Sequence, residues 1–145
     1  MRKTDVDTRR EHILKAASRL LQRDGYKRTT VADVAREAEV SVGSVYLEFD
    51  SKDAIVAKLA LHCHEQILAR MIEAATPSAP PDALQAALEA RILAQHEHSG
   101  RAPHSVELLH CAACPGVKQA LEHFAPRERQ FVQELLEQGE RQGAF

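Results

Sequence analysis

Residues 25–49, near the N-terminus, constrain the fold more than any other part of the chain. Two short apolar stretches with helical spacing lie there, one after Thr30 and one after Ser41, and each of these hydroxyls can cap the first turn of a helix. Such short helices are unstable alone, so neighbouring helices must hold them. The segment therefore predicts two short helices joined by a tight turn, and the second is polar and aromatic enough to enter a DNA groove.

A longer helix is predicted just before this segment, over residues 8–24. Thr8 and Glu11 have the spacing of a capping box, in which each side chain bonds the backbone amide of the other. Gly25 follows the helix and can adopt the left-handed conformation that ends it. The residues of its apolar face, expected to lie inward, are Ile13, Leu14, Ala17, Leu20 and Leu21.

The two short helices are expected to pack on this first helix. The one after Thr30 is about eight residues long by its apolar spacing. In the helix after Ser41, Val45 and Phe49 are predicted to point inward because they are one helical turn apart. The outward positions of that helix are Val42, Ser44 and Tyr46.

The composition of the 145-residue chain favours helix throughout. Charged residues make up 28% and aromatic residues 4%, there is no Trp, and a mixture rich in Ala, Leu, Glu, Gln and Arg forms helices readily. No stretch approaches the roughly 18 apolar residues of a membrane span, and the N-terminal residues lack the apolar core of a secretion signal. We therefore expect an all-α, cytoplasmic protein without a cofactor.

Residues 52–145 predict four further helices. A long helix starts after Ser51 and runs to about residue 75, so it links the N-terminal helices to the rest of the chain. The proline-rich stretch 76–82 cannot continue it. Pro126 is expected to start a new segment or to kink the last helix, because its ring clashes with the preceding turn. The three helices after the loop are predicted at about 82–98, 104–113 and 117–141.

A specific pattern of residues runs through the N-terminal part of the chain. Its members are Ile13, Leu14, Ala16, Ala17, Leu20, Leu21, Gly25, Tyr26, Thr29, Thr30, Val31, Val34, Ala35, Ala38, Val40, Ser41, Gly43, Tyr46, Phe49 and Lys52. This pattern resembles the DNA-binding signature of the tetracycline-repressor (TetR) family of bacterial regulators. Two positions depart from it: Glu39 stands where the family usually has a turn glycine, and Glu48 where it often has a histidine beside the phosphate backbone.

The resemblance implies two units: a helix-turn-helix DNA-binding domain over residues 1–51 and a helical effector-binding domain over residues 52–145, in which residues 52–75 form the connecting helix. It also implies a ligand-responsive transcriptional regulator, most simply a repressor that a small-molecule inducer releases from a palindromic double-stranded DNA operator. No membrane partner is expected.

The resemblance further implies a homodimer. The family dimerises through two helices near its C-terminus, and this chain ends at Phe145, where those helices would begin. Truncation or incomplete coverage of a dimeric protein is the favoured interpretation. An abbreviated natural form and pairing through residues 126–141 stay open as alternatives.

Position by position, the resemblance implies contacts to bases and to phosphates. Val42, Gly43 and Ser44 correspond to positions that touch base edges, where a valine offers apolar contact to a thymine methyl and a glycine lets the backbone approach. Phosphate contacts fix the register without reading sequence, and they are implied for Thr30, Tyr46 and Lys52. The full predicted DNA-binding set is Thr29, Thr30, Ser41, Val42, Gly43, Ser44, Tyr46 and Lys52.

The effector pocket is predicted around Cys63, Ile67, Leu108 and Cys111. A second hypothesis uses the cysteines as sensors, and we expect free thiols because the chain lacks a secretory signal. Cys111 and Cys114 are one turn apart on the predicted helix, and Cys63 could supply a third sulfur. The protein could then be a metal- or thiol-stress-sensing repressor whose ligands are Cys63, Cys111 and Cys114; otherwise no metal site is expected.

Two other classes of function fit the sequence less well. An enzyme is not expected, because no Gly-rich phosphate loop or nucleophile elbow is present and the Cys-x-x-Cys pair lacks a β-α-β context. A helical protein-interaction module without DNA binding stays open if Glu39 and Glu48 abolish that binding. Charge does not decide between them, since residues 1–58 hold twelve basic against ten acidic residues and the remainder seven against eleven.

Overall fold

The computed structural model describes residues 3–76, 79–100, 102–111 and 113–145, with side chains from Thr8 onward. Within these ranges the chain forms seven α-helices and no strand, which confirms the predicted all-α fold. No helix in the described part of the chain is long and apolar enough to cross a membrane. The helices are α1 (Lys3–Asp24), α2 (Val31–Glu37), α3 (Val42–Glu48), α4 (Lys52–Ala75), α5 (Pro80–Ser99), α6 (Glu107–His110) and α7 (Pro115–Arg141).

The first helix is longer than the sequence predicts. It begins at Lys3 rather than at residue 8, so Thr8 lies inside it and the prediction that Thr8 caps its start is wrong. The predicted stop is confirmed, because Gly25 has a φ of +81°.

Helices α1, α2 and α3 and the start of α4 enclose one apolar cluster. The inward positions predicted on α3 are confirmed, since Val45 is fully buried and Phe49 is 5% exposed. The predicted caps are also present. Thr30 and Asp33 form a reciprocal capping box at α2, and the hydroxyls of Ser41 and Ser51 cap α3 and α4. Each cap satisfies a backbone amide that the helix itself leaves unpaired, which defines where these helices start.

The turn between α2 and α3 carries a backbone strain at Glu39. The amide of Val40 donates to the carbonyl of Ala35, at 3.0 Å, and the amide of Glu39 donates to that of Arg36, at 3.2 Å. This is the hydrogen-bond pattern of a Schellman motif, whose left-handed position usually holds glycine. Here that position is Glu39, with a φ of 57°. Glu39, the first departure from the TetR-like pattern, therefore has a backbone conformation that usually requires glycine.

We expect Glu39→Gly to stabilise the protein by about 0.5–1 kcal/mol, because relief of the left-handed strain exceeds the added entropy of the unfolded chain. Urea unfolding followed by circular dichroism measures the change. Glu37→Gly is the control: it places the same substitution in the last helical residue of α2, where it should destabilise by about 1 kcal/mol. Equal destabilisation by both variants would contradict a strained turn.

Helix α4 joins the N-terminal helices to the rest of the molecule, with contacts to α1, α5, α6 and α7. Around its first half, one apolar cluster combines Leu21 of α1 with Val56 of α4, Leu108 and Val117. Around its second half, another cluster combines residues of α4, α5 and α7. The apolar packing thus continues across residue 51, where the sequence predicts a domain boundary. That division into two domains stays a prediction.

Three boundaries in the C-terminal part differ from the predictions. Helix α5 begins at Pro80, because proline is well tolerated in a first helical turn, so the loop is shorter than 76–82. Helix α6 covers only Glu107–His110 of the predicted 104–113. Helix α7 runs unbroken through Pro126, and the prediction of a new segment there is wrong. Pro126 has no N–H, so the carbonyl of Glu122, four residues earlier, loses its helical donor. Both residues are exposed, so water can bond that carbonyl.

Candidate nucleic-acid interface and interior cavity

One face of α3 is apolar and open to solvent. Val42, Tyr46 and Leu47 are 43%, 53% and 75% exposed, while Val45 between them is fully buried. Val42 and Tyr46 were expected to face outward. Leu47 was not singled out, although its position two residues from each of the inward Val45 and Phe49 already places it on the opposite side of the helix. These three side chains are exposed on a helix that the rest of the N-terminal core holds in place.

The N-terminal end of α3 is unobstructed. Ser41 accepts from the backbone amide of Ser44 at 3.0 Å, and the two hydroxyl oxygens lie 2.9 Å apart. A Cβ built on Gly43 would meet only the Ser41 hydroxyl, at 3.8 Å, so nothing in the described part of the chain requires a glycine here. The space in front of Gly43 is therefore available to another molecule.

Thr29 differs from the other predicted DNA contacts. It is 2% exposed, and its hydroxyl donates to the carbonyl of Gly25 at 2.8 Å. Thr30, next to it, is exposed and caps α2 through Asp33. The buried hydroxyl of Thr29 is engaged in holding the loop before α2, so we leave Thr29 out of the interface proposed below.

Lys52 is bound to the loop before α2. Its ammonium donates to the carbonyls of Tyr26, at 2.8 Å, and Thr29, at 3.1 Å, and lies 3.9 Å from the centre of the Tyr26 ring. An ammonium has three donors, so one remains after these two bonds. Lys52 thus fixes the loop that presents Thr30, and only its remaining donor is available for a phosphate.

The carboxylate of Glu48 faces the protein interior. Arg9 donates to it from Nε at 2.8 Å and also from Nη2, and the Glu48 side chain is only 6% exposed. Arg10 donates to the Glu48 carbonyl at 3.0 Å and lies over the ring of Phe49. The second departure from the TetR-like pattern is therefore a neutralised group that ties α1 to the end of α3, and it does not place a free negative charge on the α3 face.

Hydrogen bonds also join the N-terminal helices to the segment around α6. The amide of Tyr26 donates to Glu107 at 2.9 Å, and the amide of His104 donates to the carbonyl of Gln22 at 3.1 Å. The other carboxylate oxygen of Glu107 is 2.7 Å from His104 Nδ1. Burial by itself would raise the pKa of Glu107, but the bonds from Tyr26 and His104 hold it below its usual value. A movement of α6 would therefore be felt by the loop that precedes α2.

The cysteines do not converge on one site. Cys111 and Cys114 form a disulfide, so the expectation that all three are free thiols is wrong. Because α6 ends at His110, these two cysteines lie in the α6–α7 connection, where the chain can bring the sulfurs together. Among the described residues, the ligand atoms of Glu107, Cys111 and Cys114 lie close together, without Cys63, but they could hold a metal only if the disulfide were reduced. Cys63 is free and half-buried, and burial raises its pKa.

The residues predicted for the effector pocket fall in two places. Ile67 is buried and Cys63 half-buried in the cluster around the second half of α4. Leu108 is buried and Cys111 half-buried in the cluster around its first half. None of the four lines the cavity of about 450 Å³ that opens between the C-terminal helices. The residues lining this cavity are His64 of α4, Arg91 and Gln95 of α5, His110 of α6, and Leu121, Phe124, Ala125, Glu128, Arg129, Val132, Gln133 and Leu136 of α7.

Comparison with known proteins identifies the N-terminal module. The family described as bacterial regulatory proteins, tetR family, matches residues 13–59, which include α2, α3 and the start of α4. The HTH-type transcriptional regulator HbdR of Aromatoleum sp. (strain CIB) is 42% identical over 74 residues, 49% of this chain and 32% of that protein. Residues 13–59 belong to the TetR family. The match of this chain to HbdR spans about a third of the length of HbdR.

Similarity to bacterial transcriptional regulators extends beyond the N-terminal module. The HTH-type transcriptional repressor KstR2 of Mycobacterium tuberculosis is 28% identical over 142 residues, 97% of this chain and 70% of that protein. A putative transcriptional regulator from Pseudomonas aeruginosa PAO1 superposes with a TM-score of 0.75 at 21% identity, covering 96% of this chain and 68% of that one. At that identity the superposition shows a shared fold, which includes the helical C-terminal part.

Proposed function

We propose that this protein is a transcriptional repressor that binds a palindromic DNA operator as a homodimer and leaves it when a small molecule binds between its C-terminal helices. The observation that carries the proposal is the open face of α3, with Val42, Tyr46 and Leu47 exposed and Gly43 bordering free space. Three large apolar or aromatic side chains left exposed on one seven-residue helix suit an interaction surface. A helix presenting them fits the major groove of B-DNA, which is about 12 Å wide.

Each exposed residue of the proposed interface has a role that its chemistry allows. Val42 and Leu47 offer apolar contact to thymine methyl groups, and Ser44 can donate to or accept from a base edge. The hydroxyls of Thr30 and Tyr46, with the remaining donor of Lys52, suit phosphate oxygens. Ser41 lies at the start of α3, where backbone amides favour an anion.

The proposal includes a homodimer because a single α3 helix can distinguish few base pairs. Its face holds no arginine, asparagine or glutamine that could bond a base in bidentate fashion, so one half-site offers little discrimination. Two copies on half-sites about 34–36 Å apart would supply the rest. Repression is supported by KstR2, which is described as a repressor, and action on DNA would place the protein in the cytoplasm.

Release by a small molecule requires a connection from the C-terminal cavity to α3. Helix α4 contributes His64 to the cavity and begins at Lys52, which holds the loop before α2. The Tyr26–Glu107 and His104–Gln22 hydrogen bonds provide a second connection through α6. A ligand that favours a shifted arrangement of α4 and α6 would change the spacing of the two α3 helices and so weaken operator binding.

The DNA-binding proposal is tested by selecting a duplex from a pool of randomised palindromes and measuring its binding by fluorescence anisotropy. Binding should weaken steeply with salt, since phosphate contacts release counterions. Val42→Glu should lower the affinity by about tenfold or more, because it sets a negative charge against the phosphates. Leu93→Glu is the matched control: Leu93 is 60% exposed on α5, and its substitution should leave DNA binding unchanged. Absence of enrichment at low salt, or equal effects of the two variants, would refute the proposal.

Tyr46→Phe removes only a hydroxyl from the proposed interface. We expect a 2- to 10-fold loss of DNA affinity, the usual value of about 0.5–1.5 kcal/mol for one hydrogen bond. The melting temperature should not change, because Tyr46 is 53% exposed and no hydrogen bond within the described residues uses its hydroxyl. If the original protein and Tyr46→Phe bind DNA with the same affinity, the Tyr46 hydroxyl does not contact a phosphate.

A further inference from the structure

A buried histidine in α4 lacks a hydrogen-bond partner. His64 is 4% exposed, and its Nε2 bonds to no group in the described part of the chain. Its ring stacks on Phe124 of α7, with the ring centres 5.1 Å apart. A buried polar atom without a partner destabilises a fold, and a phenylalanine or leucine could fill this position without that cost. The histidine therefore requires an explanation that packing does not supply.

His64 and Phe124 form the base of the cavity between the C-terminal helices. Both are buried, whereas Arg129, Gln133 and Leu136 of α7 are exposed at its mouth. The volume of about 450 Å³ lies within the range of known small-molecule sites. Apolar wall residues continue along α7 from the base to the mouth, and these are Val132 and Leu136.

The fixed charges around the cavity favour an anion. Two guanidinium groups, Arg91 and Arg129, line it against the single carboxylate of Glu128. Arg91 donates to Glu128 from Nε at 2.5 Å and to Gln95 from Nη1 at 3.0 Å. Among the described residues, no acceptor pairs with its Nη2. The guanidinium of Arg91, with Nη2 unpaired, and the imidazole of His64, with Nε2 unpaired, thus both line the cavity.

The charged groups facing His64 come from each of the helices around it. Burial is the main cause that lowers the pKa of His64, and His110 of α6, Arg91 and His98 of α5 lower it further; Glu128 of α7 alone opposes them. A neutral imidazole with its proton on Nε2 is a hydrogen-bond donor.

We propose that this cavity binds an amphipathic carboxylate, whose carboxyl group accepts from His64 Nε2 and Arg91 Nη2 while its apolar body lies along Val132 and Leu136. This inference rests on the proposed function, because it names the chemical class of the molecule that would release the repressor. The base of the cavity selects the acidic group, and the α7 wall selects an apolar body.

The experiment measures binding to the free 145-residue chain, without DNA, by isothermal titration calorimetry. The probes are octanoate, 1-octanol and octylamine, which share one apolar chain and differ in their head groups. Octanoate should bind about tenfold or more tightly than octanol, a difference of one charge-assisted hydrogen bond, and octylamine should bind no better than octanol. Absence of saturable octanoate binding, or equal binding of octanoate and octanol, would overturn the proposal.

Two variants separate the cavity from general effects. His64→Phe keeps a ring against Phe124 and removes the unpaired nitrogen, so the melting temperature should rise while octanoate affinity falls about tenfold, to the level of octanol. Arg129→Gln changes an exposed residue that does not threaten folding, and it should weaken octanoate binding about threefold. Arg141→Gln is the control for Arg129→Gln, because Arg141 lies twelve residues further along α7, about 18 Å away.

Unchanged octanoate affinity in His64→Phe, or equal effects of the Arg129 and Arg141 substitutions, would place the carboxylate elsewhere and refute the proposal. Its failure is distinguishable from failure of the proposed function. Selection of a palindromic duplex tests DNA binding without any probe, and the calorimetry tests the cavity without any DNA.

Discussion

Gly116→Ala should destabilise the protein by about 3 kcal/mol, the upper part of the range for overpacking a core. Gly116 lies in the first turn of α7, where it is buried against α4. A Cβ at this position would lie 2.4 Å from the carbonyl oxygen of Asp53 and 2.8 Å from the amide nitrogen of Ala57. Both atoms belong to the backbone of a helix, so the clash cannot be relieved by turning a side chain.

Gly43→Ala is the matched control for this prediction. It makes the same substitution in another helix, but there the nearest atom to the new Cβ is the Ser41 hydroxyl, at 3.8 Å. Alanine is a better helix former than glycine, so Gly43→Ala should stabilise the protein by as much as about 1 kcal/mol. Urea unfolding of both variants measures the difference. Similar stabilities would mean that α7 does not approach α4 as closely as the structure has it.

The Gly43 variant also has a consequence for DNA binding. If the backbone of α3 approaches base edges at Gly43, the added methyl group should weaken operator binding although the fold becomes more stable. The opposite signs of the two effects would separate a role in DNA contact from a role in folding. Gly116→Ala, by comparison, should lower stability and operator binding together.

Arg9→Met should destabilise the protein by about 3 kcal/mol, because it leaves the Glu48 carboxylate buried without its partner. The Arg9 side chain is 19% exposed and that of Glu48 only 6%, so water cannot replace the lost donors well. Methionine keeps much of the apolar stem of arginine, which limits the loss of packing. The loss of the ion pair is therefore the main term in the expected change.

Glu48→Gln and the double variant Arg9→Met/Glu48→Gln complete a double-mutant cycle. Glu48→Gln should cost about 1 kcal/mol, since the neutral amide still accepts a hydrogen bond and Arg9 can turn toward solvent. The double variant should recover most of the stability lost in Arg9→Met, because no buried charge remains. Chemical denaturation checks the cycle, and additive effects would show that the two side chains do not interact energetically.

The local features of the N-terminal module are predictable from the sequence because their causes lie within a few residues. Thr30 and Ser41 cap helices through amides three residues away, and the inward positions of Val45 and Phe49 follow from helical spacing. Even the strained turn is visible in advance, since Glu39 stands where the TetR-like pattern has a glycine.

Contacts between distant residues account for what the sequence did not predict. Glu48 is 39 positions from Arg9, so nothing near Glu48 indicates that its charge is neutralised. The burial of Thr29 depends on the loop geometry around Gly25. The Cys111–Cys114 disulfide depends on where α6 ends, which the apolar spacing overestimated. In each case helical periodicity carries no information about the partner.

The sequence by itself determined the all-α fold, the starts of the short helices and the family, because caps, apolar periodicity and the TetR-like signature are all local properties of the chain. Tertiary structure decided which of those residues are free to meet another molecule. It turned Glu48 inward and joined the loop before α2 to Glu107. It also assembled a cavity around His64 from four helices, and such an assembly depends on packing between elements that no local pattern records.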